Sequence, residues 1–225
     1  MNTSFKLTSF IMILLAFQAC NNKATGTKAK TGTAQATPTT SLAKATTYQL
    51  NSGILNWTGS KALGSAHQGT INISQGTIGV TAGGKITTGN FMIDMNSITN
   101  TDMKAGQGKE KLEGHLKAGD FFDVAKFPTG SFNIVKVEAA KGVANVTHNV
   151  IGNLTLKGIK KTITIPANIA VGGGSVTAVS PSFTIDRTEW GIQYGSGSIV
   201  GLAKDKVIND DIALVLELSA SVVNN

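Results

Sequence analysis

The sequence predicts an all-β domain of about eight strands with one short helix, and three observations carry that prediction. Apolar residues recur at every second position in one short segment after another. Those segments are punctuated by Gly, Asn, Ser and Thr rather than by helical stretches. Only one segment, "GKEKLEGHLKAGD", places apolar residues at helical spacing.

In chain order, "YQLNSGILNWTG" and "QGTINISQG" are the first strand candidates, and "GTIGVTAGGKIT" supplies either another strand or the start of the next. "NFMIDMNS" sets Phe91, Ile93 and Met95 on one face and Asn90, Asp94 and Asn96 on the other. The helix follows, with Leu112 and Leu116 four apart on a charged background. It leads into "GDFFDVAKFPTGSF", which holds Phe121, Phe122, Phe127 and Phe132, four of the six Phe that lie outside the leader. That clustering fits either a core plug or the lining of a ligand cavity. "TGSFNIVKVE" is the next strand. "NVTHNVIGNLTLKG" then aligns Val146, His148, Val150, Leu154 and Leu156, and "IKKTITIPANI" aligns Ile159, Ile163, Ile165 and Ile169. "SVTAVSPSFTIDR" and "DIALVLELSA", with Ile212, Leu214, Leu216 and Leu218 in phase, complete the set. Such a set makes either a sandwich filled by its own side chains or a closed barrel able to enclose a small ligand.

The ends divide the chain. Lys6, the apolar run Leu7 to Phe17 and a small residue at "QAC" form a secretory signal peptide over residues 1–19, too short for a transmembrane span of roughly 20 residues. Cys20, the single cysteine, follows directly and resembles the lipobox cysteine of bacterial lipoproteins, which is acylated and becomes the first mature residue. The alternative is a secreted chain with an unmodified thiol. A single cysteine allows no intrachain disulfide, so the folded part rests on its core. Residues 21–47 hold nine Thr, six Ala and four Lys with no aromatic and no acid, a composition expected for a disordered tether running from Cys20 to residue 47. The folded domain is then residues 48–225. Five lysines of the formal +7 lie before residue 48, and removing them leaves +2. That balance, without a basic stripe, argues against a nucleic-acid partner.

Signals for catalysis are sparse. His67, His115 and His148 stand apart, with no metal-ligand spacing, so no metal is expected. No nucleophile elbow, P-loop or dinucleotide fingerprint is present, and no cofactor is expected. Asp120 and Asp123 flank Phe121 and Phe122 as an acid/base dyad or as turn caps. Arg187, the only arginine, shares a phase with Phe183 and Ile185; it either meets an anionic head group or pairs with Asp186, Glu189 or Asp210. His148, in the apolar phase of its strand, is a ligand contact or a hydrogen-bonded rim residue.

"GHLKAGDFFDVAKFPTGSF", "GNLTLKGIKKTITIP" and "FTIDRTEWGIQYGS", in this order and spacing, resemble the YceI-like family of bacterial envelope proteins. Trp57, Lys61 and His67 stand where many members carry a D-x-x-H-S opening. The resemblance implies an antiparallel lipocalin-like β-barrel with an apolar interior that holds a polyisoprenoid or similar long-chain lipid, and a binding protein rather than an enzyme. For a barrel of this kind the expected lining is drawn from Phe91, Ile93, Phe121, Phe122, Phe127, Phe132, Leu154, Leu156, Ile163, Ile165, Phe183 and Trp190, with His148 and Arg187 as candidate head-group contacts. A structural or protein-interaction lipoprotein with a filled barrel is the alternative, and a homodimer is compatible with the sequence. The residues after Cys20 contain no acidic run, which points to the periplasmic side of the cell envelope, at the outer membrane, with a lipid anchor at Cys20.

Overall fold

The computed structural model describes residues 24–38, 45–198 and 201–222. The signal peptide, Cys20 and parts of the expected tether lie outside the described residues. Short strands β1 (Thr27–Lys28) and β2 (Thr31–Thr33) precede three long ones, β3 (Ala45–Ser60), β4 (Ala66–Thr81) and β5 (Ile86–Asn100). Helix α1 (Lys109–Lys117) follows, then β6 (Thr129–Ala139), β7 (His148–Leu156), β8 (Ile159–Gly172), β9 (Ser175–Val179), β10 (Phe183–Asp186) and β11 (Asp211–Val222). The barrel runs antiparallel in the order β3 to β8, and β11 pairs back onto β3. Strand β9 closes the circle by pairing with both β8 and β11. With β9 and β10 counted as one interrupted stave, the barrel has eight.

The long strands explain its shape. "QGTINISQG" and "GTIGVT" are one strand, β4, because the glycine-rich turn comes only after Thr81, where the amides of Gly84 and Lys85 fold back onto Thr81. Sixteen residues in β3 and in β4, at about 3.3 Å each, reach roughly 50 Å. Register shifts between β4 and β5 near Asn72, Gln75 and Val80 bend this tall wall into closure. Pro181, which has no N–H to donate, lies in the break between β9 and β10.

The two-residue phases hold. Phe91, Ile93 and Met95 are buried, as are Ile163, Ile165 and Ile169, and Val150, Leu154 and Leu156. Ile159, at the start of β8, is exposed. Where large rings cross the wall, glycines make room. A Cβ on Gly152 would sit 2.3 Å from the Phe132 ring, and one on Gly69 would sit 2.5 Å from the Trp57 ring.

The N-terminal segment departs from expectation. Residues 24–38, read from composition as part of a disordered tether, lie against the barrel: β1 runs parallel to β10 and β2 antiparallel to β8. Strand β3 also begins at Ala45, three residues ahead of the expected boundary. The segment has little apolar surface to bury, and among residues 24–38 only Ala29 is buried. Edge strands nevertheless offer unpaired backbone groups, to which a threonine-rich chain adds by main-chain hydrogen bonds alone.

Candidate functional site

Two hollow chambers lie along the interior. The narrow one, about 90 Å³, occupies the half closed by β9, and its twenty lining side chains are all hydrocarbon, among them Phe91, Phe132, Ile163, Ala178 and Phe183. The wide one, about 430 Å³, occupies the half capped by α1. Leu55, Ile93, Leu154 and Leu214 line both, so side chains and not backbone divide them.

Helix α1 caps the wide chamber with Leu112 and Leu116. Glu113 pins it to β5 by accepting from the Asn100 amide at 2.8 Å and the Thr99 hydroxyl at 2.7 Å. These bonds, with the Lys109 and Lys117 charges, outweigh burial and hold the Glu113 carboxyl below its ordinary range. The following turn is held by its backbone: the Phe121 and Asp123 amides donate to Ala118 O, and the Phe127 amide donates to Asp123 O. Asp123 has a φ of 50°, and Lys157 Nζ ties the loop to the β7–β8 turn through Gly119 O and Phe121 O. Phe121 and Phe122, ring centroids 5.3 Å apart, therefore face the wide chamber, while Asp120 lies 3.3 Å from His115 Nε2. The Asp120 carboxylate meets His115 while Asp123 serves the turn through its backbone, so the two are not drawn together as a dyad.

The rest of the mouth is polar and carries cationic side chains. Ser60, Lys61, Ser65, His67, His115, Arg187, Tyr194 and Lys206 all border the wide chamber, and among the described residues its lining contains no carboxylate. Trp57, Lys61 and His67 are thus brought to the mouth together. His67 Nδ1 lies 3.0 Å from Asp102. Burial pushes the Asp102 carboxyl up, but bonds from the Gln68 amide, His67 and Asn100 outweigh it and hold the group below its usual range.

Ten of the twelve expected lining residues border a chamber. The other two do not. Phe127 packs over the Gly158 turn, where a Cβ would come within 3.0 Å of its ring. Trp190, 0% exposed, is solid core, with its indole N–H donating to Leu154 O at 3.2 Å. The head-group pair separates as well. His148 borders neither chamber and meets the Thr147 hydroxyl at 2.8 Å, although Ala167 opposite it on β8 lines the narrow one. Arg187, 2% exposed, borders the wide chamber, but it donates to the carbonyls of Asn209, Ile192 and Ile208 and to Asp210 Oδ1. Burial pushes its guanidinium down from the ordinary value against the opposing pull of Asp210 and Asp186. Its work is to clamp the loops at the mouth.

The sequence gives no lining signal for Ile71, Ile98 and Ile192 of the wide chamber or for Ile78, Ile86 and Ala178 of the narrow one. The last three sit in strands whose alternation was readable, but their small or sparse apolar residues gave no aromatic signal. Among the described residues no three His, Cys, Asp or Glu side chains converge as a metal site, and no helix is long and apolar enough to cross a membrane.

The YceI-like domain model matches residues 21–220. This chain belongs to the YceI-like family. It is 36% identical over 89 residues to a UPF0312 protein of Pseudomonas aeruginosa, and 30% identical over 105 residues to one of Staphylococcus aureus. Those matches cover 37% and 43% of this chain and 44% and 57% of the relatives, so the chain spans about half the length of the curated relatives it matches. Two solved structures share the fold. Burkholderia cenocepacia BcnA matches with a TM-score of 0.58 at 20% identity over 75% of this chain and 96% of its own. A polyisoprenoid-binding domain from Saccharophagus degradans matches with a TM-score of 0.54 at 18% identity over 78% and 98%.

Proposed function

We propose that this YceI-like barrel binds one long apolar chain, a polyisoprenoid or related lipid, with the chain's tail in the narrow chamber and its polar end at the mouth near α1. The observation that carries this reading is the narrow chamber, whose every lining side chain is hydrocarbon. Such a space rewards hydrocarbon alone, at about 0.8 kcal/mol per buried methylene, so ten of them supply roughly 8 kcal/mol before the cost of association. The wide chamber's volume lies in the range of small-molecule sites, which combine apolar walls with a few polar groups. Lysines and histidines without a lining carboxylate suit a neutral or anionic head group. The structural neighbour described as a polyisoprenoid-binding domain supports the same ligand class. An interior with two hollow chambers favours this reading over a barrel packed solid with its own side chains.

The leader and Cys20 support a lipid-anchored protein on the periplasmic side of the envelope. The scattered His67, Asp120, His148 and Arg187, each held by other partners, support a carrier and not an enzyme. Solvent extraction of the purified protein followed by mass spectrometry should yield a long-chain lipid. Absence of any lipid, together with no binding of prenyl alcohols, would sink the reading.

A further inference from the structure

On one side β8 pairs with β7 along Ile159–Ala167, but on its other side only Asn168–Gly172 find β9. Strand β10 pairs with β11 and leaves its opposite edge free of β8. The eight staves therefore do not close over the half of the wall between β8 and β10. Residues 25–35 fill that seam as a strap. The Thr27 amide donates to Ser182 O at 3.2 Å, the Ala29 amide to Thr184 O at 2.8 Å, and the Thr164 amide to Lys30 O at 3.2 Å. Further along, the Gln35 amide donates to Asn153 Oδ1 at 3.0 Å, and Asn153 Nδ2 donates to Gln35 O at 2.7 Å.

This strap is a weak part of the wall. Two register pairs hold it to β10 and three to β8, whereas twelve join β3 to β4. Its apolar anchoring is one methyl group, on Ala29, 6% exposed. Lys28 bonds Asp211 at 2.9 Å, but on the exposed face, where an ion pair contributes little. Behind the strap stand Ile163 and Phe183, which line the narrow chamber, and Ile185, which lines the wide one. Both lips of the seam are apolar cavity wall.

We propose that the seam between β8 and β10 is a second, lateral portal to the cavity, through which an apolar chain passes between a bilayer and the barrel when residues 25–35 lift away. This rests on the apolar-chain reading above. The length of chain favours a bilayer on the far side. Ala24 already contacts the barrel through Ser60 Oγ, and the four residues from Cys20 to Ala24 reach at most about 14 Å. An acylated Cys20 therefore holds the barrel close to the membrane surface, at the N-terminal end of the strap beside Ser60, rather than on a long leash.

The strap can be locked. Thr33 lies opposite Lys161. Bonded pairs alternate in an antiparallel ladder, and Lys30–Thr164 is bonded, so Thr33–Lys161 is a closely spaced non-bonded pair suited to a disulfide. In a Cys20→Ser background, Thr33→Cys with Lys161→Cys is loaded with cis-parinaric acid and diluted into excess phosphatidylcholine vesicles, oxidised and reduced. The oxidised form should release the probe at least tenfold more slowly than the reduced form, with affinity unchanged. Asn153→Ala should release it faster than the parent chain, with faster hydrogen exchange across residues 27–33. Equal release in both redox states overturns the portal and leaves the mouth by α1 as the route. Strap amides that exchange as slowly as those of β3 and β4 also overturn it. No probe binding in either redox state overturns the apolar-chain reading, and the portal with it.

Discussion

Ala178 lines the narrow chamber from β9, the strand that closes the barrel. Ala178→Leu adds three carbons to a space of about 90 Å³; a water-sized probe needs about 10–15 Å³, so the added carbons fit. If the ligand's tail occupies that space, the leucine displaces about three methylenes, worth about 2.4 kcal/mol, or a factor of roughly 50 in Kd. The loss falls only on ligands long enough to reach the narrow chamber. An alcohol of about twenty carbons should therefore weaken by that factor, while one of about ten carbons, seated in the wide chamber, binds as before. Stability moves the other way, because the leucine fills a void: the thermal midpoint should hold or rise by a few degrees. Titration calorimetry across a chain-length series, with a thermal melt of the free protein, measures both. Unchanged affinity for the long chain, or an equal loss for both lengths, would refute the assignment of the tail to the narrow chamber.

Three further predictions test the scaffold around the chambers. Arg187→Lys keeps the charge but loses the planar fork that serves three carbonyls and Asp210; the cost should be about 3 kcal/mol in urea denaturation, or roughly 6–12 °C in Tm. Gly152→Ala drives a methyl into the Phe132 ring and should cost about 1–3 kcal/mol. Asp102 and Glu113 are both held below their ordinary values of 3.8 and 4.5, so their contribution is present above those values and is lost as pH falls through the lower folded-state values. Thermal stability should thus hold from neutral pH to about pH 5 and erode below about pH 4, and the double variant Asp102→Asn with Glu113→Gln should erode less steeply.

Local pattern exposed much of the fold because alternation and helical spacing are properties of short stretches. Phe91, Ile93 and Met95 had to face one side, as did Ile163, Ile165 and Ile169, whatever sheet they joined. Leu112 and Leu116 had to share one helix face. The family motifs then pointed to a barrel, and ten of the twelve expected lining residues border a chamber. The misses share a cause. Alternation says that a residue faces inward, but not what lies opposite. Trp190 meets Leu154 O and packs solid, Phe127 falls over the Gly158 turn, and His148 meets the Thr147 hydroxyl although its partner Ala167 lines the narrow chamber. Arg187 pairs with Asp210, one of the partners its sequence neighbourhood offered, but carbonyls from residues 192, 208 and 209 converge on it only in three dimensions.

The stretch "GDFFDVAKFPTGSF" shows the division most plainly. Its composition fixed an aromatic cluster between the helix and a strand. The tertiary structure distributed that cluster: Phe121 and Phe122 to the wide chamber, Phe132 to the narrow one and Phe127 to the outer turn. The N-terminal segment marks the opposite limit. Its own residues specify almost no burial, and it acquires structure only because β8 and β10 leave a seam with free backbone donors and acceptors. Side-chain chemistry sets which face of each strand is apolar, and that is written locally. Whether the apolar faces meet, leave a hollow or leave a gap depends on strand pairings between residues far apart in sequence, which only the closed barrel decides.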